Sequence, residues 1–291
     1  MLAWLAYLTV ALVWGSTYFA IAVGLATFTP YGMVAARFSL AALLALGLGR
    51  WRREPWPPRR ELYHLMVVGA LLLGGSNALV SYAELHLASG LAAVLAALVP
   101  LWLAVLSMGK ERLGPKGWLG LALGLVGVAV LVAPRGGLHM HAGGLAAMVA
   151  APFIWAWGTL HGKHFVHGGG LFTNGGIQML TAAVIGLLVA PITGGFLRGG
   201  VTPTALGAIA YLAVFGSLLA FSAYIYLAKA WPSAKMGTYA YLNPVVAVLL
   251  GSLILHEAFG PREILGMAII LGAVALVQLR PRAALPVAPE A

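Results

Sequence analysis

The chain has no cysteine and no aspartate, and its seven acidic residues are all glutamate. Without cysteine there can be no disulfide, no thiolate metal ligand and no cysteine nucleophile. Charged residues make up only 8% of the chain, where a soluble domain carries about 25%. A chain this poor in charge and 62% hydrophobic cannot hide its apolar surface in water, so lipid must be the solvent for most of it. No stretch reads His-Glu-x-x-His, Gly-x-Ser-x-Gly or as a Walker A loop. That argues against a zinc protease, a serine hydrolase and direct drive by ATP. The sequence therefore predicts no catalytic residue, no metal, no cofactor and no enzyme. The net charge of +10 would suit nucleic acid, but the basic residues lie in short loops between apolar runs. The enrichment of Lys and Arg on the cytoplasmic side of membrane proteins explains them, and no nucleic-acid partner is expected.

What is present is a series of apolar runs, each near the length of about 20 residues that spans a bilayer. Breaks at Gly, Pro and charged clusters predict ten membrane helices over 2–23, 30–48, 62–84, 88–108, 117–133, 143–163, 171–192, 205–228, 232–254 and 263–279. The first run, from Leu2, has no basic leader and is too long for a signal sequence, so it reads as a membrane helix. With the N-terminus inside, twelve Lys and Arg fall in inner loops and three, Arg135, Arg198 and Arg262, in outer loops. The bias predicts an inner-membrane, multi-pass protein with both termini cytoplasmic. The Pro- and Ala-rich segment 281–291 reads as a disordered tail.

The chain also repeats itself. Glu111-Arg-Leu-Gly-Pro-Lys-Gly-Trp-Leu-Gly120 echoes Glu257-Ala-Phe-Gly-Pro-Arg-Glu-Ile-Leu-Gly266. Trp14-Gly15-Ser16 matches Trp157-Gly158-Thr159, and Ser89 and Pro100 match Ser233 and Pro244. The offset drifts only from 143 to 146 across these anchors. Five helices therefore repeat as five helices, with residues 1–136 as the first repeat and 137–280 as the second. An odd number of helices per repeat inverts one half relative to the other, an arrangement of transporters with a site at the repeat interface. Internal duplication makes a monomer or weak homodimer sufficient.

Several stretches resemble a known family. Trp14-Gly15-Ser16-Thr17-Tyr18-Phe19, Pro30 and Ala36-Arg37-Phe38 resemble the opening of EamA proteins of the drug/metabolite transporter superfamily. Ala83-Glu84, Ser89-Gly90-Leu91-Ala92-Ala93 and Val99-Pro100 resemble its YedA-like subgroup. Thr238-Tyr239-Ala240-Tyr241-Leu242-Asn243-Pro244 is similar to the matching stretch of a second EamA repeat. The resemblance runs from Trp4 to about Gln278. It implies an all-α membrane protein of ten transmembrane helices, two inverted five-helix EamA repeats around a central cavity. It also implies transport of small metabolites, usually export. His256, before Glu257, departs from the family pattern, where a Gly is usual.

Ionisable groups inside a membrane are expensive and mark functional sites by default. Arg37 reads either as a dock for a substrate carboxylate or phosphate or as the ion-pair partner of Glu84, and the pair is favoured because a buried Arg needs a partner. Glu84, alone at a span end, is the candidate coupling residue, a proton-binding carboxylate. Lys235 is expected to snorkel. Pro100 and Pro244, at matched mid-span positions, are candidate hinges, because proline frees a carbonyl one turn earlier. Asn243 beside Pro244, Asn77, Gln178 and the aromatics Trp14, Tyr18, Trp157, Tyr239 and Tyr241 complete the candidate substrate site. His161, His164 and His167 read as solvated loop residues, since a fourth ligand is missing. The predicted function is a secondary transporter exporting a small metabolite, an amino acid or related amphipathic or drug-like solute, by alternating access. The alternatives are a uniporter or exchanger without proton coupling and, far behind, an intramembrane enzyme.

Overall fold

A backbone in hydrocarbon must satisfy its own polar groups, and an apolar run does so as a helix. In the computed structural model, which describes residues 1–87, 95–108, 110, 113–132, 141–255 and 260–278, every regular element among those residues is a helix. They are α1 (Leu2–Leu25), α2 (Pro30–Trp51), α3 (Arg59–Glu84), α4 (Val99–Ser107), α5 (Pro115–Val132), α6 (Ala142–Phe165), α7 (Leu171–Val189), α8 (Pro203–Ala230), α9 (Ser233–Gly237), α10 (Tyr239–Leu255) and α11 (Pro261–Gln278). Six of the described stretches are long and apolar enough to cross a membrane: α1, α2, α3, α6, α8, and α7 with the short turn after it. The shorter apolar helices overlap the remaining predicted spans. The expectations for Ser89, Glu111, His256, Glu257 and the 281–291 tail lie outside the described residues.

Caps and breakers set the ends. The Thr29 side chain accepts from Gly32 N at the start of α2, and Thr202 does the same for Ala205 N at the start of α8. In each case Pro stands at the first helical position, where its missing N–H costs nothing. Glu54 Oε2 accepts from Thr173 N at 2.8 Å, and Glu61 Oε2 accepts from His167 N and Gly168 N at 2.9 Å. These two carboxylates tie the loop after α2 and the start of α3 to the N-terminal end of α7, where negative charge is favoured. Across the opposite end of the bundle, the loop after α1 joins the loop after α7 through an isolated antiparallel bridge, Phe28 to Leu197.

Two helices are widened in the middle. α3 adopts π-helix over Gly69–Ser76 and α8 over Leu212–Leu219. The two segments are equal in length and lie 143 positions apart. α2 packs along α7, and α5 along α11, while α1 packs on α8 and α10. Glycines permit the closest approaches. A Cβ on Gly186 of α7 would lie 2.8 Å from the Ala35 Cα of α2, and one on Gly266 of α11 would lie 2.8 Å from the Leu131 Cα of α5. Leu5, Leu8, Leu12 and Phe19 line the exposed side of α1, while Tyr7, Val10 and Ala11 are buried, as a lipid-facing stripe requires.

Two local expectations are corrected. Pro100 does not sit inside a continuous helix: Ala97 and Leu98 form a turn, and Pro100 lies in the first turn of α4. Pro244 does lie inside α10, and the helical break in that region falls at Thr238. His161 and His164 belong to the last turns of α6 rather than to a loop. His161 bonds His64 of α3 at 3.0 Å, and both histidines pack around Phe165.

Candidate functional site

A cavity of about 110 Å³ opens where the two widened helices meet α1, α2, α6 and α10. By volume it can hold several waters or a small solute. Trp14, Thr17, Tyr18 and Ile21 of α1 line it, with Arg37 and Phe38 of α2, Ser76 and Asn77 of α3, Val99 of α4, Pro152 and Trp155 of α6, Ser217 and Phe221 of α8, and Tyr239, Ala240 and Asn243 of α10. Both predicted halves of the chain thus contribute walls.

The π segments explain how polar groups reach this depth. A π turn disturbs the helical ladder and frequently marks a functional site. In α8 the Gly216 carbonyl accepts from Trp14 Nε1 at 2.9 Å, and the Ser217 hydroxyl donates to Leu212 O at 3.0 Å. In α3 the Ser76 hydroxyl donates to Ala151 O of α6, and Asn77 Nδ2 donates to Leu72 O at 2.9 Å. Arg37 lies between the two. Its Nε donates to Ser217 Oγ at 2.8 Å and its Nη1 to Asn77 Oδ1 at 3.3 Å. The expected ion pair with Glu84 is therefore not formed. Glu84 is partly buried, acts electrostatically on Tyr18, and leaves Oε1 without a hydrogen-bond partner.

On the far wall, Asn243 donates to Ala11 O at 3.2 Å and Tyr239 O at 3.1 Å when its amide is turned to satisfy its neighbours. It also shares a hydrogen bond with Tyr18. Pro244 has no N–H, which leaves the Ala240 carbonyl without its helical donor, and Ala240 lines the cavity.

An aromatic layer floors the cavity toward the end of the bundle that holds Met1 and Trp51. Trp14 meets Trp155 at 5.3 Å, Tyr224 at 5.1 Å and Tyr239 at 5.1 Å between ring centroids. Trp155 Nε1 donates to the Tyr224 hydroxyl at 2.9 Å, and that hydroxyl is also bonded to Thr159. Beyond this layer lies a second, smaller cavity of about 50 Å³, lined by Thr159, Lys163, Asn174, Gln178, Tyr224 and Lys229.

Of the sequence-predicted residues, Trp14, Tyr18, Arg37, Asn77, Tyr239 and Asn243 thus come together around one cavity. Gln178 lies at the second cavity, its Oε1 unpaired. Tyr241 faces away: it is fully buried against α5 and donates to Leu121 O at 2.8 Å. Trp157 is 51% exposed on the outer surface, and its place in the wall is taken by Trp155. Lys235 sets its ammonium over the Trp231 ring at 4.5 Å, as a cation at an aromatic interface does. Ser217 and Thr17 were not singled out in the sequence, because a lone hydroxyl in an apolar run usually bonds its own helix. No group of three metal-ligating side chains occurs among the described residues.

Apolar helices long enough to span a bilayer, interrupted by π segments, and a central, polar-edged cavity define a polytopic helical membrane protein. The profile of the EamA-like transporter family matches residues 1–133 and 142–279, and the chain belongs to that family. It is 35% identical over 270 residues to "Uncharacterized inner membrane transporter YedA" of Escherichia coli strain K12, covering 92% of this chain and 88% of the relative. It is 30% identical over 271 residues to "Protein PecM" of Dickeya dadantii, covering 91% and 89%. A solved crystal structure superposes with a TM-score of 0.80 over 95% of this chain and 96% of its own, at 23% identity. That last likeness concerns the fold alone.

Proposed function

We propose that the protein is a secondary transporter of the inner membrane, which exports a small metabolite by alternating access across ten helices in two inverted five-helix repeats. The observation that carries this reading is the central cavity, walled from both halves and floored on one side by the aromatic layer. A site at mid-depth, closed toward one face, is what alternating access needs. The duplication is supported by the two equal π segments at a constant offset and by a family profile that matches in two stretches of similar length. The inner-membrane assignment is supported by the name of the Escherichia coli relative. Pro244 and the π segments are the places where the regular helical ladder is already interrupted, so helices can bend there, and they serve as hinges. Internal duplication makes a monomer or weak homodimer sufficient.

The test is reconstitution of purified protein into liposomes with a panel of labelled amino acids, nucleobases and aromatic acids. Saturable flux is expected, and linear flux would indicate a channel. Glu84 is proposed to couple transport to protons, because it is an acid at a span end with an oxygen lacking any partner and cut off from water. Glu84→Gln should therefore flatten the pH dependence of flux. An unchanged pH profile would leave an uncoupled uniporter or exchanger.

The same reading places both termini in the cytoplasm. Arg53 and Arg198 are exposed at opposite ends of the bundle in a chain without native cysteine. Arg53→Cys should react with an impermeant maleimide only in inverted vesicles, and Arg198→Cys only in intact spheroplasts. Reaction of both from one side would refute this topology.

A further inference from the structure

We infer that the central cavity selects an organic anion, a carboxylate on a small flat apolar body, and discriminates against cations. This rests on the reading above and names its substrate class. The reason is an uncompensated charge. Arg37 is only 7% exposed, and a guanidinium does not lose its proton in a protein. Its two protein partners, Ser217 and Asn77, are neutral. Each is held as an acceptor, because the Ser217 hydroxyl and the Asn77 amide nitrogen already donate to Leu212 O and Leu72 O. They orient the guanidinium without neutralising it.

No acid does so either among the described residues. Glu54 and Glu61 are engaged with the N-terminal end of α7, and Glu84 is not part of the cavity wall. The remaining guanidinium N–H groups have no acceptor among the described residues, and Arg37 lines the cavity. Gly216 lets Nη2 approach the wall closely, since a Cβ there would stand 3.1 Å from it. A buried charge left unpaired is costly in a membrane, and a carboxylate presented by the solute completes it with two parallel hydrogen bonds. Trp14, Tyr18, Phe38, Trp155 and Tyr239 supply flat apolar faces for the rest of the solute. Aromatic walls alone would also invite a cation. Here the full positive charge of Arg37 in the same small cavity opposes it, and a charge outweighs a ring quadrupole. Arg37 itself also lies over the Phe38 ring, at 4.8 Å.

The test compares isosteric probes on detergent-purified wild-type protein, read by quenching of tryptophan fluorescence. Benzoate and phenylacetate should bind roughly tenfold to a hundredfold tighter than benzamide, the gain expected of a hydrogen bond made to a charged group. Benzylammonium should not compete. Arg37→Gln should erase the difference between benzoate and benzamide, and Arg37→Lys should keep its sign. If Arg37→Gln does not fold, the wild-type series decides alone. Equal binding of benzoate and benzamide, competition by benzylammonium, or no binding of either carboxylate at millimolar concentration would overturn the inference. Saturable flux of cations in liposomes would overturn anion selection while leaving the transporter standing. Anion binding without flux of any solute would do the reverse.

Discussion

Gly186→Val should all but abolish recovery of folded protein, whereas Gly207→Val should behave as wild type. Gly186 stands where α7 crosses α2, and the added Cβ would lie 2.8 Å from the Ala35 Cα and 3.0 Å from the Tyr31 carbonyl oxygen. Both are backbone atoms, so no rotamer change relieves the overlap. The two helices must part along one of the most extensive helix contacts in the molecule. Without a hydrophobic force between helices in lipid, close backbone approach at small residues is what holds such a pair. Overpacking costs about 1–3 kcal/mol when side chains can adjust, and more is expected where they cannot. At Gly207 an added Cβ meets nothing within 4 Å, so the control changes helix propensity alone. The measurement is the fraction of monodisperse protein after detergent extraction, with its melting temperature. Similar values for the two variants would show that the α2–α7 crossing is not what holds the fold.

The helices are legible because apolar length is a coarse signal that lipid enforces, whereas the crossing of α2 with α7 at Gly186 is not, since a Gly-rich sequence does not say which helices meet. The finer features depend on partners that one segment cannot reveal. In the π segment of α8, Trp14 and Ser217 take up the Gly216 and Leu212 carbonyls, and in that of α3 Asn77 takes up the Leu72 carbonyl; no local propensity encodes that. Matching Trp14-Gly15-Ser16 to Trp157-Gly158-Thr159 singled out Trp157. Two positions along a helix are about 200° apart, so Trp155 faces the cavity when Trp157 faces out. The ion pair of Arg37 with Glu84 was a sound expectation from burial alone. The structure instead supplies Ser217 and Asn77, which orient the guanidinium without quenching it, and so leaves a charge for the solute.

Asn243→Ala should weaken solute binding roughly tenfold to a hundredfold while leaving the protein folded in the membrane. Asn243 is buried, and its amide joins α10 to α1 through Ala11 O and fixes Tyr18 at the cavity wall. One residue on, Pro244 has no N–H for the Ala240 carbonyl, so this turn of α10 sets that carbonyl beside the Asn243 amide oxygen, which has a second lone pair to offer the solute. A solute that leaves water must replace its hydrogen bonds, and each one left unmade costs about 1–3 kcal/mol, with 1.4 kcal/mol equal to a factor of ten in affinity. Alanine removes the amide and frees Tyr18 to leave the wall, so both the direct contact and the shape of the cavity are lost. Folding should survive, because α10 is also held by Tyr241 on α5 and by Tyr239 in the aromatic layer. The comparison is the affinity of wild type and Asn243→Ala for one transported solute, at matched melting temperature. Equal affinity would move the solute away from α10, toward Arg37 and Asn77 on the α2–α3 side of the cavity.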